Sequence, residues 1–230
     1  MPNTYRITIQ NNTGVPQNYS FFSATPIVSG SSSGEIWSNV LKAANNTPNG
    51  AKAFLDVWTN YYAICGSYDG KPEQGARVSV SKSVPITLGS KSGGIAMMGS
   101  SVALTVIDKE TCDLGPPTNP GNGKIGNFQL VTASDQFTYQ DAVNNNILIG
   151  IANSKDGDIF TAMGTFTPFP SSSYQIQPQM VYHVATGQRF DAGQLVKVEQ
   201  LGSTIAVDFN QRGTNNVVII HNQQMLFEFA

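Results

Sequence analysis

Apolar and polar residues alternate along much of this chain with a period of two. Tyr5-Arg-Ile-Thr-Ile-Gln10 and Ala76-Arg-Val-Ser-Val-Ser81 place apolar side chains at every second position, the pattern of a strand buried on one face. Ile95–Met98, Val102–Ile107, Phe128–Thr132, Ile147–Ile151, Ile159–Met163, Leu195–Glu199, Thr204–Phe209, Val217–His221 and Met225–Phe229 read as further strands. Gln136–Tyr139 reads as a continuation of Phe128–Thr132. Val84–Leu88 is expected at a sheet edge, because Pro85 cannot donate to a ladder. Glu35–Leu41 suits either a strand or a turn or two of helix. Turn chemistry separates these runs at Asn11–Gly14, Ser29–Gly34, Asn45–Gly50, Asn144–Asn146 and Lys155-Asp-Gly-Asp158. The pattern predicts an all-β protein with little or no helix.

Two stretches are longer and more aromatic. Ala53–Gly66 (AFLDVWTNYYAICG) reads as one long strand or as two strands meeting at Thr59–Asn60. Tyr174–Val184 reads as a single long strand with Gln175, Gln177 and Gln179 on one face. The phase of the first decides the meaning of its acid. If Phe54, Trp58, Tyr62 and Ile64 face inward, Asp56 and Asn60 do too, and a buried carboxylate must be paired or shift its pKa. If Leu55 and Val57 face inward, with a bulge at Thr59–Asn60, Asp56 is a surface residue.

Glu110–Asn127 breaks the pattern, with three prolines and four glycines in eighteen residues, and reads as a linker. The segments on either side resemble each other. Gly34–Val40 lies on Gly157–Met163, and Tyr5-Arg-Ile on Phe128-Gln-Leu, at an offset of 123 (157 − 34; 128 − 5). Phe54 and Tyr62 fall on Tyr174 and Tyr182 at 120 (174 − 54), and Leu88-Gly-Ser90 on Leu201-Gly-Ser203 at 113 (201 − 88). Composition alone makes runs of strands look alike; a duplication also preserves their order, as here. The expected architecture is two similar antiparallel β-sandwich lobes, residues 1–110 and 128–230, joined through 111–127.

Composition narrows function by exclusion. Apolar residues make up 40% and charged residues 12%, about half the usual charged share, so the surface is built from amides, hydroxyls and glycine. The thirteen Lys and Arg are scattered and the net charge is -2, which argues against nucleic acid or a membrane as partner. The start of the chain lacks a secretory signal pattern, so an intracellular protein or a processed secreted one is expected. Asn11-Asn-Thr13, Asn18-Tyr-Ser20 and Asn45-Asn-Thr47 are glycosylation triplets that an Asn-rich chain also produces by chance. Cys65 and Cys112 could bridge or stay reduced, and their spacing is not that of a zinc site. No cofactor is expected. Asn153, Asp156 and Asp158 could ligate calcium only outside the EF-hand pattern.

Catalytic signatures are equally sparse. His183 and His221 are the only histidines, and no nucleophile elbow, HExxH or phosphate loop occurs. Trp37, Asp56, Trp58, Asn60 and Tyr61 are the candidate ligand-binding residues, because aromatic faces beside amides and acids suit sugars. Tyr19 and Tyr68 are further aromatic candidates. The leading expectation is a non-catalytic, lectin-like protein for a neutral carbohydrate. A cofactor-free cyclase or isomerase acting on an apolar small molecule is the alternative, with Asp56, Tyr62, Tyr182 and His183 as its candidate residues. A self-assembling structural protein or homo-oligomer is the third.

Overall fold

The computed structural model describes residues 4–72, 75–157, 160–197 and 201–230. The chain is nearly all β. In the first part come β1 (Thr4–Asn11), β2 (Gln17–Ser23), β3 (Ile27–Ser29), β4 (Ile36–Thr47), β5 (Lys52–Trp58), β6 (Tyr61–Asp69) and β7 (Arg77–Ile86). A small hairpin, β8 (Ser90–Ser92) and β9 (Ile95–Met97), leads to β10 (Gly99–Ile107), β11 (Thr111–Leu114) and β12 (Thr118–Gly123). There follow β13 (Phe128–Thr132), helix α1 (Tyr139–Asn144), β14 (Ile147–Asn153), β15 (Thr161–Phe166), β16 (Ser173–Gln177) and β17 (Val181–Thr186). The chain ends with β18 (Leu195–Val196), β19 (Thr204–Asp208), helix α2 (Phe209–Arg212), β20 (Asn216–His221) and β21 (Phe227–Phe229). Asp158 and Ile159, and Val198 and Glu199 of the expected Leu195–Glu199 strand, lie outside the described residues.

Three sheets carry the fold. A broad sheet runs β19-β17-β2-β4-β15-β14-β6-β7, with β18 added on β4. A second runs β21-β20-β1-β5, and a third β11-β10-β13-β16-β3, with β12 added on β10. One core joins Ile7, Leu55 and Ile219 of the second sheet with Leu104, Leu130 and Tyr174 of the third. The same core takes Phe21, Cys65, Ile149, Met163 and Tyr182 from one face of the broad sheet. The other face of the broad sheet holds smaller clusters, one around Phe22 and Phe190 and another around Trp37, Leu148 and Leu195. The result is a sandwich of one wide layer against two narrow ones.

The pairing crosses the boundary expected at residues 111–127. Every one of the three sheets contains strands from both sides of it. Arg6–Asn11 runs parallel to Asn216–His221, and β10 runs parallel to β13. The broad sheet is closed by β4 against β15, β6 against β14 and β2 against β17. Residues 111–127 are not a free connection either, since β11 and β12 both pair with β10. The prolines and glycines of that segment confine β12 to the added position, where an incomplete ladder is tolerated.

Local chemistry explains the other departures from the period-two reading. Tyr174–Val184 splits at Pro178 into β16 and β17, which belong to different sheets. Ala53–Gly66 splits at Thr59–Asn60 in the same way, into β5 and β6. Gln136–Tyr139 is not strand: Thr138 caps α1 by accepting from Asp141 N, while the Asp141 side chain accepts from Thr138 N at 2.8 Å. Phe209 leaves β19 to start α2, whose first turn is capped by Asp208. Glu35–Leu41 resolves as strand, and β4 runs on to Thr47. Cys65 and Cys112 are free, buried thiols, and a hydrogen bond to Cys112 together with burial pushes the Cys65 thiol up.

Because each sheet is completed from both parts of the chain, neither part can satisfy its backbone alone. A fragment of residues 1–110 leaves β1 without β20, β10 without β13, and β4 and β6 without β15 and β14. It is expected to show no cooperative thermal transition by circular dichroism, where the full chain shows one.

Candidate functional site

On β5, Ala53, Leu55 and Val57 are buried, and Lys52, Phe54, Asp56 and Trp58 project from the opposite face. This is the phase that takes Asp56 out of the core. Register places Arg6 of β1 directly across from Asp56, and Thr8 across from Phe54. The Arg6 guanidinium donates through Nε to Asp56 Oδ1 at 2.6 Å and through Nη2 to Oδ2 at 2.8 Å. Such a fork holds a carboxylate in one orientation. Asp56 keeps only 19% of its side chain exposed. The hydrogen bonds from Arg6 hold its carboxyl below the usual range, against the opposing effect of partial burial.

Two cations frame Phe54. Arg6 Cζ lies 4.9 Å and Lys42 Nζ 4.0 Å from the ring centroid. Lys42 comes from β4 of the broad sheet. Burial lowers its pKa, Asp56 raises it and Arg6 lowers it. Beside these groups is a cleft of about 170 Å³ lined by Leu41, Lys42, Leu55, Asp56, Trp58, Asn153 and Thr161. Asn153 is the buried last residue of β14, and Thr161 opens β15 opposite it. Four strands from two sheets therefore bring an indole, a carboxylate, an ammonium, an amide and a hydroxyl to one opening.

The corner after β5 distributes the remaining aromatics. Asn60 Nδ2 donates to Lys155 O at 3.4 Å, and Ser154 N to Asn60 O at 3.2 Å, tying the corner to the segment after β14. Beyond it, Thr59, Asn60, Tyr61, Tyr62 and Pro85–Leu88 line an open groove of about 410 Å³. Tyr61 is buried, donates to Met180 Sδ at 3.4 Å, and is raised to about 12 by burial and then by Tyr5. Tyr62 packs edge-on against Phe160 at 4.8 Å. Asp56 and Trp58 thus share one opening, while Asn60, Tyr61 and Tyr62 share another.

Other candidates lie elsewhere. Trp37 is only 7% exposed and sits under Lys197, whose Nζ is 4.7 Å from the ring and 2.5 Å from Glu35. It borders a hollow of about 390 Å³ with Gln188, Arg189, Phe190 and Gln194. His183 is half-buried on β17, between Phe22 and Ala206. Tyr182 is wholly buried beside Phe209, and burial raises its pKa well above the ordinary value. Tyr19 is also buried, its hydroxyl 3.0 Å from His221 Nδ1. Tyr68 packs beside the Trp37 cluster.

Asn153 is legible in the sequence only as a possible calcium ligand; Arg6, Lys42 and Thr161 are the site residues that sequence reading misses. They stand far apart in sequence, and no local pattern marks them. An amide-lined hollow of about 450 Å³, formed by Asn12, Asn49, Ile220, Asn222, Gln223 and Gln224, is also invisible to it. There the only sequence signal is a pair of Asn-rich turns.

The lowered Asp56 pKa has a stability consequence with a definite sign. Its contribution is complete above the unfolded carboxyl value of about 3.9 and is lost as pH falls through the lower folded value. The stability difference between wild type and Asp56→Asn should therefore be constant from neutral pH to about pH 5 and vanish on further acidification. Urea unfolding across a pH series measures it, and a difference that grows toward acid would contradict the pairing. No family model, curated protein or solved structure matches this chain.

Proposed function

We propose that the protein is a non-catalytic, lectin-like binding protein that holds a neutral carbohydrate at the cleft beside Trp58. The observation that carries this reading is the joining of Trp58 with Asp56, Lys42, Asn153 and Thr161 around one opening. An indole offers an apolar face to the C–H side of a sugar ring. The carboxylate accepts from hydroxyls, the ammonium donates to them, and the amide and the Thr161 hydroxyl do both. Arg6 neutralises Asp56 without using all of its lone pairs, which suits an uncharged ligand. A volume of about 170 Å³ suits one small ring and not an extended chain.

The catalytic alternative asks more of Asp56 than its surroundings supply. A general acid at neutral pH needs a raised pKa, whereas Arg6 lowers this one. A cyclase or isomerase also needs a closed apolar pocket, and Asp56 borders a cleft that contains two charges.

We also infer that the chain is an interleaved duplication. In the second sheet β1 lies between β20, parallel, and β5, antiparallel. In the third sheet β13 lies between β10, parallel, and β16, antiparallel. The flanking hairpins keep one register, Leu104 opposite Leu114 and Ile219 opposite Phe229, each position shifted by 115 (219 − 104; 229 − 114). On this register Arg6 opposite Asp56 corresponds to Gln129 opposite Gln175, an offset of 119 (175 − 56) and not the 120 read from the sequence, so Tyr174 answers Leu55 and not Phe54. One unit carries a charged pair where the other carries two amides, so the site belongs to one unit alone. A circular permutant opened at Gly115, with its old ends joined through a copy of residues 115–127, should fold to the same strand content. Failure to fold would count against the duplication.

Glycan-array screening followed by calorimetry tests the function. Trp58→Ala should weaken binding at least about tenfold while leaving the thermal midpoint within a few degrees, because Trp58 is not a core residue. Wild-type protein that binds no uncharged glycan on the array would end the carbohydrate reading.

A further inference from the structure

Between β7 and β10 the chain leaves the body as the β8–β9 hairpin. All nine residues from Ser90 to Met98 are exposed. Pairing of Ser92 with Ile95 and Ser90 with Met97 puts those four side chains on one face. Ile95 is 72% exposed, Met97 63% and Met98 41%, and Ile125 at the hairpin's foot is 52% exposed. Apolar side chains so fully in water, on a ribbon with no third strand among the described residues, are not there for folding stability.

The foot of the hairpin is as tight as its blade is free. Gly89 bridges to Ile125, and Gly126 N donates to Gly89 O at 2.7 Å. A Cβ at Gly89 would collide with the Lys124 carbonyl, and one at Gly99 with the Asn127 carbonyl. The backbones of residues 89, 99 and 123–127 are therefore in direct contact, and the apolar blade stands on a rigid base.

The charged residues of the segments that build the blade and its foot, residues 89–99 and 123–127, are Lys91 and Lys124, both beside the apolar side chains in sequence. Lys91 lies on the blade, opposite Ala96, and Lys124 adjoins Ile125. Residues 75–107 and 114–134 contain no Asp or Glu. Apolar tips flanked by lysines match the boundary between anionic headgroups and acyl chains. A second copy of the chain fits less well, since a patch of four apolar side chains is small beside the ~800 Å² per partner that a stable interface buries. Strands of three residues reach about 10 Å, which suits the interfacial layer and not the ~30 Å hydrocarbon core.

We propose that the β8–β9 hairpin, with Ile125, docks the protein on an anionic lipid bilayer by inserting Ile95, Met97 and Met98 at headgroup depth. This departs from the expectation of no membrane partner, which rested on lysines being scattered in sequence. Co-sedimentation with vesicles of phosphatidylcholine, alone or with a quarter phosphatidylserine, tests it. Wild type should sediment with the phosphatidylserine vesicles. The double variant Ile95→Asp/Met97→Asp should lose about tenfold or more in partitioning, and Lys91→Glu/Lys124→Glu should lose a severalfold share that added salt mimics in wild type. All four side chains are outside the core, so unchanged thermal unfolding of both variants is expected. Wild type remaining in the supernatant with both vesicle types overturns the proposal. So does equal binding by the Ile95→Asp/Met97→Asp variant. A concentration-dependent dimer that this variant abolishes, without vesicle binding, would replace the bilayer by a second copy.

Discussion

The structure depends on backbone pairing between distant parts of the chain. β1 finds its parallel partner in β20, and β10 finds its own in β13. Parallel neighbours cannot be joined by a tight turn, so the β10–β13 ladder needs the crossover through β11 and β12, and the β1–β20 ladder exists only once nearly the whole chain is in place. The broad sheet repeats the condition at β4–β15, β6–β14 and β2–β17. An unpaired buried amide or carbonyl is costly, so the inner strands of each sheet depend on the other part of the chain. Such long-range pairing also predicts slow folding relative to helical proteins of this size.

The candidate site is a consequence of that interleaving. Asp56 and Trp58 stand on β5, an edge of the second sheet, and Lys42, Asn153 and Thr161 belong to the broad sheet. The corner at Thr59–Asn60 lets one continuous aromatic stretch serve both layers. Trp58 remains on the cleft side and Tyr61 turns into the core. The same device recurs at Pro178, where β16 passes into β17. Arg6 then decides the chemistry, because a carboxylate held ionised by a bidentate guanidinium is suited to accepting hydrogen bonds and poorly suited to donating a proton.

With so few charges, each one is conspicuous in space. Arg6 and Lys42 meet over Phe54, and Lys155 also acts on Asp56. Lys91 stands on the hairpin and Lys124 precedes Ile125 at its foot. None of these groupings is visible as a run along the chain. Elsewhere amides take the place of ions: Gln129 bonds Ser101 and Ser173, and Gln175 holds Lys124 N and Asn122 O. The polar surface inferred from composition thus also works inside the ladders.

Much of the architecture was legible in the residues. Alternation at Tyr5–Gln10 named a strand buried on one face, and the continuous apolar run at Ile147–Ile151 named one buried on both, as β1 and β14 are. Pro85 marked an edge, and β7 is one. Thr138 and Asp141 carried a legible capping box that alternation alone misread as strand. What the chain could not state by itself is which strand meets which. Phase on β5 and the break at Pro178 depended on partners in other sheets. A two-residue period says which face is apolar and nothing about what lies across it. By itself the sequence determined an all-β protein of low charge, with an aromatic, acid-bearing stretch at Ala53–Gly66. Only the tertiary structure decided that Asp56 leaves the core, pairs with Arg6 and shares a cleft with Trp58, because those contacts are made by side chains that only long-range strand pairing brings together.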